Sequence, residues 1–161
     1  MLPSQPYMAR AASSSTVAGS AAALRRFTRF YTRLTGLLEP AYLQTRYSVT
    51  QARLLYELGR RDHLTATELV ATLGLNAGYI SRVLTAFERD GLLRRERAPL
   101  DGRQRTLRLT PAGRREFTLI DSRSQQQAER ALRRLSTGER RRVVDAIATI
   151  ERLLSSAPQR G

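Results

Sequence analysis

The sequence predicts a mainly α fold with one small β-hairpin, and three observations carry that prediction. Apolar residues recur at helical steps through most of the chain. Helix-start signals of the form Ser/Thr-x-x-Glu/Gln stand at Ser48, Thr65 and Ser136. After Gly91, Leu92-Leu93 starts a strand and Thr106 to Leu109 alternates as its return, with Asp101-Gly102 at the tip, which is the pattern of a hairpin.

Each element follows in chain order. Residues 1–15, rich in Pro, Ser and Ala, read as a disordered arm. From Thr16 to Leu38, the residues Leu24, Phe27, Tyr31, Leu34 and Leu38 form a helical seam that Gly36 weakens and Pro40 stops. Ser48 and Gln51 open a second helix through Leu54, Leu55 and Leu58, with Gly59 at its close. Thr65 and Glu68 open a third, whose apolar face is Leu69, Val70 and Leu73. Gly74 takes the left-handed position after it. Asn76 then caps a fourth helix, in which Ile80, Val83, Leu84 and Phe87 pack inward. That leaves Ala77, Gly78, Tyr79, Ser81 and Arg82 facing outward, and Gly91 ends the helix.

Leu92-Leu93 begins a strand and Thr106 to Leu109 returns it. Thr110-Pro111 starts a long helix with Thr as cap and Pro at the first position. It carries Phe117, Ile120, Ala128, Ala131, Leu132 and Leu135, but is polar from Ser122 to Gln127. Ser136 and Glu139 open the last helix, striped by Val143, Ile147, Ile150 and Leu154. Two helices about a tight turn followed by a basic ribbon make a winged helix-turn-helix, whose second helix can enter a major groove. The expected organisation is an N-terminal dimerisation helix and connection over 16–47, the winged helix-turn-helix over 48–110, and C-terminal dimerisation helices over 111–156.

Charge supports the same reading. The chain has 161 residues and a formal net charge of +14, and every basic residue is arginine. Ten arginines between Asn76 and Arg115 face only Glu88, Asp90, Glu96 and Asp101. A basic cluster on a winged helix is the footprint of phosphate binding.

Several function classes fall away. Without cysteine there is no disulfide, redox thiol or thiolate metal site. The single His63 beside Asp62 is a poor metal site and reads as a loop residue. Neither a Gly-rich phosphate loop nor a Ser–His–acid set is present, so no enzyme and no cofactor is expected. The apolar runs are too short to span a membrane and the N-terminus lacks a signal-peptide core, which leaves the cytoplasm.

The run L-x-L-N-x-x-Y-I-S-R-x-L-x-x-F-E-x-x-G-L-L-x-R, followed by L-D-G-R-x-x-x-L-x-L-T-x-x-G, resembles the MarR (multiple antibiotic resistance regulator) family over residues 20–155. Asn76 stands where Ser is common there, and Gly78 lies inside the second helix of the motif. The resemblance implies a helical homodimer with two winged helices, an arginine at the wing tip matched by Arg103, and an acidic residue steadying it matched by Asp101. It also implies a small aromatic or phenolic effector held between the dimer helices and the winged helix. Tyr31, Tyr42, Tyr47 and Arg53 lie in segments that could line such a pocket.

The expected function is that of a dimeric, sequence-specific regulator of transcription, a repressor relieved by a small molecule, on a pseudo-palindromic duplex. Thr67, Asn76, Ala77, Gly78, Tyr79, Ser81 and Arg82 would face base edges and phosphates, with Arg82 taking a guanine bidentately. Arg103 would enter the minor groove, and Arg105 and Arg108 would meet phosphates. Two alternatives stay open. The central region is also similar to MarR-like domains fused to an N-acetyltransferase, so the chain could be the regulatory piece of such a system. No room for a catalytic domain is expected after residue 155. A basic RNA-binding protein is the other, for which ten aromatics and a two-stranded ribbon are a thin basis.

Overall fold

A computed structural model describes residues 16–38, 42–97 and 105–156 of the chain. The chain divides into two compact units, one up to Ser122 and one from Arg123.

In the first unit, helix α1 spans Val17–Leu34, and the Thr16 hydroxyl accepts the Gly19 N–H at 3.1 Å. The helix ends at Leu34 rather than at Leu38. Gly36 adopts a left-handed φ of 56°, its N–H donates to the Arg33 carbonyl, and the Leu37 N–H reaches back to Thr32. Those two bonds satisfy the end carbonyls and turn the chain before Leu38 can join the helix. Pro40, expected as the stop, lies outside the described residues.

A 3-10 turn at Tyr42–Gln44 follows, in which Leu43 and Gln44 both take left-handed φ values, 54° and 55°. Such a conformation costs a side-chain-bearing residue about 1–3 kcal/mol. Burial of Leu43 and two bonds from Thr45, its N–H and its hydroxyl, onto the Tyr42 carbonyl hold it there.

The winged helix contains the core. Helix α2, Val49–Arg60, opens with the capping box of Ser48 and Gln51 and buries Ala52, Leu54, Leu55 and Leu58. Helix α3, Ala66–Leu73, opens with the Thr65–Glu68 box and ends on Gly74 at φ 62°. Helix α4, Ala77–Arg89, buries Ile80, Val83, Leu84 and Phe87. Strands β1, Leu93–Arg97, and β2, Arg105–Leu109, pair antiparallel with Leu93 opposite Leu109 and Arg97 opposite Arg105. Leu64, between α2 and α3, bridges to Leu107, whose N–H donates to the Leu64 carbonyl at 2.7 Å. That bridge ties the ribbon to the helix-turn-helix, so β2 has partners on both edges at that point.

Gly91 joins α4 to β1 at φ 69°, with its N–H on Glu88 and the Leu92 N–H on Phe87. Leu92 and Phe87 are both buried, the apolar contact that accompanies this type of helix end. A Cβ at Gly91 would meet nothing within 4 Å, so Gly91→Ala isolates the backbone cost. It should lose about 1–2 kcal/mol in denaturant unfolding. An unchanged midpoint would show that the turn relaxes to negative φ.

Helix α5, Pro111–Leu132, buries Gly113 and Ile120. Thr110 fastens its start. The hydroxyl of Thr110 donates to the Gly91 carbonyl at 2.6 Å and accepts from the Gly113 N–H at 3.1 Å, while its own N–H donates to Leu92. Arg114 donates to the Gly59 carbonyl at 2.6 Å and approaches Asp62 at 3.4 Å. Gly59 is needed for packing inside α2 rather than as its terminator: a Cβ there would strike the ring of Phe117.

In the second unit, the end of α5 turns at Leu135, and Ser136 with Glu139 forms the capping box of helix α6, Thr137–Ser155. Helices α1 and α6 bury no residue. Leu24, Phe27, Phe30, Tyr31 and Leu34 of α1 are exposed, as are Val144, Ile147, Ile150, Leu153 and Leu154 of α6.

Candidate nucleic-acid interface

The buried stripe of α4 decides which surface remains for a partner. Ala77, Gly78, Ser81 and Arg82 are exposed along its first turn and a half, with Thr67 exposed in the first turn of α3. Asn76 caps α4, its Oδ1 accepting the Tyr79 N–H at 3.1 Å. Tyr79 departs from the outward position expected of it: it is half-buried and packs against the core. The reason is helical geometry, since Tyr79 lies one turn before Val83 and so on the flank of the buried stripe.

Gly78 leaves room on both sides. A Cβ there would stand 3.1 Å from Asn76 Oδ1 and 3.8 Å from an Arg82 guanidinium nitrogen. The Arg82 head therefore lies back over the start of the helix, as long helical side chains do. Among the described residues Arg82 makes no ion pair, so its five donors are available. The start of α3 is held as firmly: Glu68 accepts both the N–H and the hydroxyl of Thr65, at 2.7 and 2.8 Å. Those bonds hold its carboxyl below the usual glutamate range.

The ribbon adds exposed arginines in pairs. Arg108 stands opposite Arg94 and Arg105 opposite Arg97, all four exposed. Glu96 reaches Arg94 at 2.7 Å and Arg108 at 3.8 Å, and Glu88 of α4 holds Arg95 of β1 at 3.1 Å. Sequence reasoning singles out Arg105 and Arg108 but misses Arg94 and Arg97. Three arginines within Leu93–Arg97 are the only local signal, and the strand register is what sets Arg94 opposite Arg108 and Arg97 opposite Arg105. Asp101 and Arg103, assigned to the wing tip, lie outside the described residues.

The four candidates for an effector pocket separate. Tyr42 is half-buried, and burial first, then Tyr31, pushes its hydroxyl above the usual tyrosine range, against an opposing pull from Arg53. Tyr31 and Arg53 are thus each within electrostatic reach of Tyr42. Tyr31 is stacked on Phe27 with centroids 5.9 Å apart, and Arg53 is exposed and paired with Glu57 at 3.4 Å. Tyr47 instead is buried edge-on against Phe87, its hydroxyl accepting from Arg46 at 2.9 and 3.1 Å. Among the described residues no group of three His, Asp or Glu side chains could hold a metal ion, and no helix is long and apolar enough to cross a membrane.

Residues 47–104 match the MarR family. The match takes in α2, α3, α4 and β1. The fold agrees over most of the chain. FabT of Streptococcus pneumoniae, solved in complex with DNA, is 19% identical at a TM-score of 0.72, covering 84% of this chain and 97% of its own. MarR of E. coli in its apo form is 21% identical at 0.59, covering 83% and 95%. BpsR of Bordetella bronchiseptica, whose DNA binding is regulated by 6-hydroxynicotinic acid, is 19% identical at 0.61, covering 82% and 98%. No curated protein matches the chain in sequence. These solved structures share the fold of this chain.

Proposed function

We propose that the chain acts as a homodimer that reads a pseudo-palindromic DNA operator and represses transcription until a small aromatic molecule binds. The observation that carries this reading is the exposed start of α4, where Arg82 makes no ion pair among the described residues, together with a ribbon of exposed arginines. Residues Thr67, Asn76, Ala77, Gly78, Ser81 and Arg82 meet the major groove, and Arg105 and Arg108, with Arg94 and Arg97, meet phosphates. Tyr79 contributes at the edge of that surface, and Arg103, steadied by Asp101, is assigned to the flanking minor groove. Dimerisation is supported by the exposed apolar faces of α1 and α6, since a stable subunit interface covers surface of that kind.

Footprinting combined with light scattering tests the proposal. A particle of twice the 18.1 kDa chain mass should protect two half-sites whose centres lie about one helical turn, roughly 34 Å, apart. A monomer protecting one asymmetric site would refute the geometry. Equal competition by RNA and duplex DNA would favour the RNA-binding alternative.

The effector reading rests on the cluster of Tyr31, Tyr42 and Arg53, and on the regulation of BpsR by an aromatic carboxylate. A guanidinium beside phenols suits such a molecule. With 6-hydroxynicotinic acid as the probe, Arg53→Ala should raise the concentration that releases DNA by about tenfold, the value of one charge-assisted bond. Equal release from the parent and Arg53→Ala proteins would remove Arg53 from the site.

A further inference from the structure

Between α3 and α4 the protein carries a hollow of about 310 Å³, lined by Ala66, Thr67 and Val70 from α3 and by Ala77, Ile80 and Ser81 from α4. Its lining is apolar apart from two hydroxyls. Ile80 is buried and Val70 half-buried, so they form the floor, while Thr67, Ala77 and Ser81 are exposed and form the rim. The spacing explains the arrangement. Residues 66, 67 and 70 share one side of α3, residues 77, 80 and 81 share one side of α4, and the two small alanines keep the space between them open.

We propose that this hollow receives the 5-methyl group of a thymine in each half-site, which makes Thr67, Ala77 and Ser81 determinants of sequence specificity. The inference rests on the DNA-binding reading, because the rim is part of the surface assigned to the major groove. Given that surface, the chemistry narrows to one group. Among the described residues no charged side chain lines the hollow, so a phosphate is better met by the ribbon arginines. A base donor or acceptor pushed into it would give up water for two hydroxyls at most. The thymine methyl is the one apolar group that an unmodified duplex projects into the major groove, and contact with Ala and with the Thr methyl is how proteins recognise it. The Arg82 head, lying back over Gly78, stands beside the hollow on the same turn of α4, so one helix face combines a methyl reader with a guanine reader.

Single replacement of each thymine in the footprinted operator by deoxyuridine removes the methyl and nothing else. The full chain should lose about fourfold in affinity at one position per half-site, the value of one buried methyl group, and be indifferent at the rest. Thr67→Ser, which trims the rim but keeps the hydroxyl, should bring the thymine-to-uridine ratio at that position toward one. Indifference to deoxyuridine at every position, with specific duplex binding intact, would overturn the hollow and leave the DNA reading standing. A uridine effect that Thr67→Ser does not change would place the methyl elsewhere and equally overturn it. Absence of duplex binding would overturn the DNA reading and the hollow together.

Discussion

Gly113→Ala should destabilise the winged helix by about 2–4 kcal/mol, although alanine is the better helix former by up to about 1 kcal/mol. The obstacle is backbone. A Cβ at Gly113 would meet the carbonyl oxygen of Leu92, and then the Leu109 side chain at 3.1 Å. That carbonyl cannot swing aside cheaply, because it accepts the Thr110 N–H at 3.0 Å, and Thr110 in turn caps α5 and holds Gly91. The start of α5, the end of α4 and the roots of both strands meet at this point, so one methyl group forces apart elements that position the whole ribbon. Gly138→Ala is the control. It lies in the first turn of α6 with nothing within 4 Å, and should be neutral or slightly stabilising. Denaturant unfolding of both variants checks the prediction. A Gly113→Ala midpoint at or above that of the parent would mean that α5 can move away from Leu92 at no cost.

The second large effect is on recognition. Arg82→Ala should cost about 1–3 kcal/mol of operator binding in each half-site, and should relax sequence preference at one position there. The side chain is exposed and makes no ion pair among the described residues, so folding and dimerisation should be unaffected. Arg108→Ala is the informative comparison. Glu96 holds Arg108 at the ribbon, where the expected partner is a phosphate, so its removal should weaken all duplexes alike and lower the salt dependence of binding. Affinities for an operator series with single base changes, each measured at several salt concentrations, distinguish the two. A uniform weakening for Arg82→Ala would make it a phosphate-binding residue and move base reading to its neighbours.

The sequence by itself determined the features governed by local chemistry. Ser48, Thr65 and Ser136 cap their helices where their Glu or Gln partners stand at the third helical position, and all three boxes form. Gly74 and Gly91 end helices with the positive φ that glycine alone adopts freely. The Leu92-Leu93 pair and the return from Thr106 to Leu109 mark the ribbon, and the stripe from Ile80 to Phe87 leaves the start of α4 exposed. These depend on residues a few positions apart, so the string of letters contains them.

Tertiary structure decided what depends on distant segments. That a residue at Leu64 would bind the ribbon through Leu107 has no local signal. Gly59 reads as a helix terminator until Phe117, from α5, is found against it, and Gly113 reads as one letter of a motif until Leu92 is found beneath it. Tyr47 looks like a fourth pocket residue in sequence, but Phe87 and Arg46 take it into the core, while Tyr31 and Arg53, far apart in the chain, converge on Tyr42. The hollow at Thr67 and Ala77 likewise exists only once two helices are set side by side. Caps and turns are settled by hydrogen bonds within one turn of chain. Close approaches and cavities are settled by which surfaces the core brings together, and that is a property of packing.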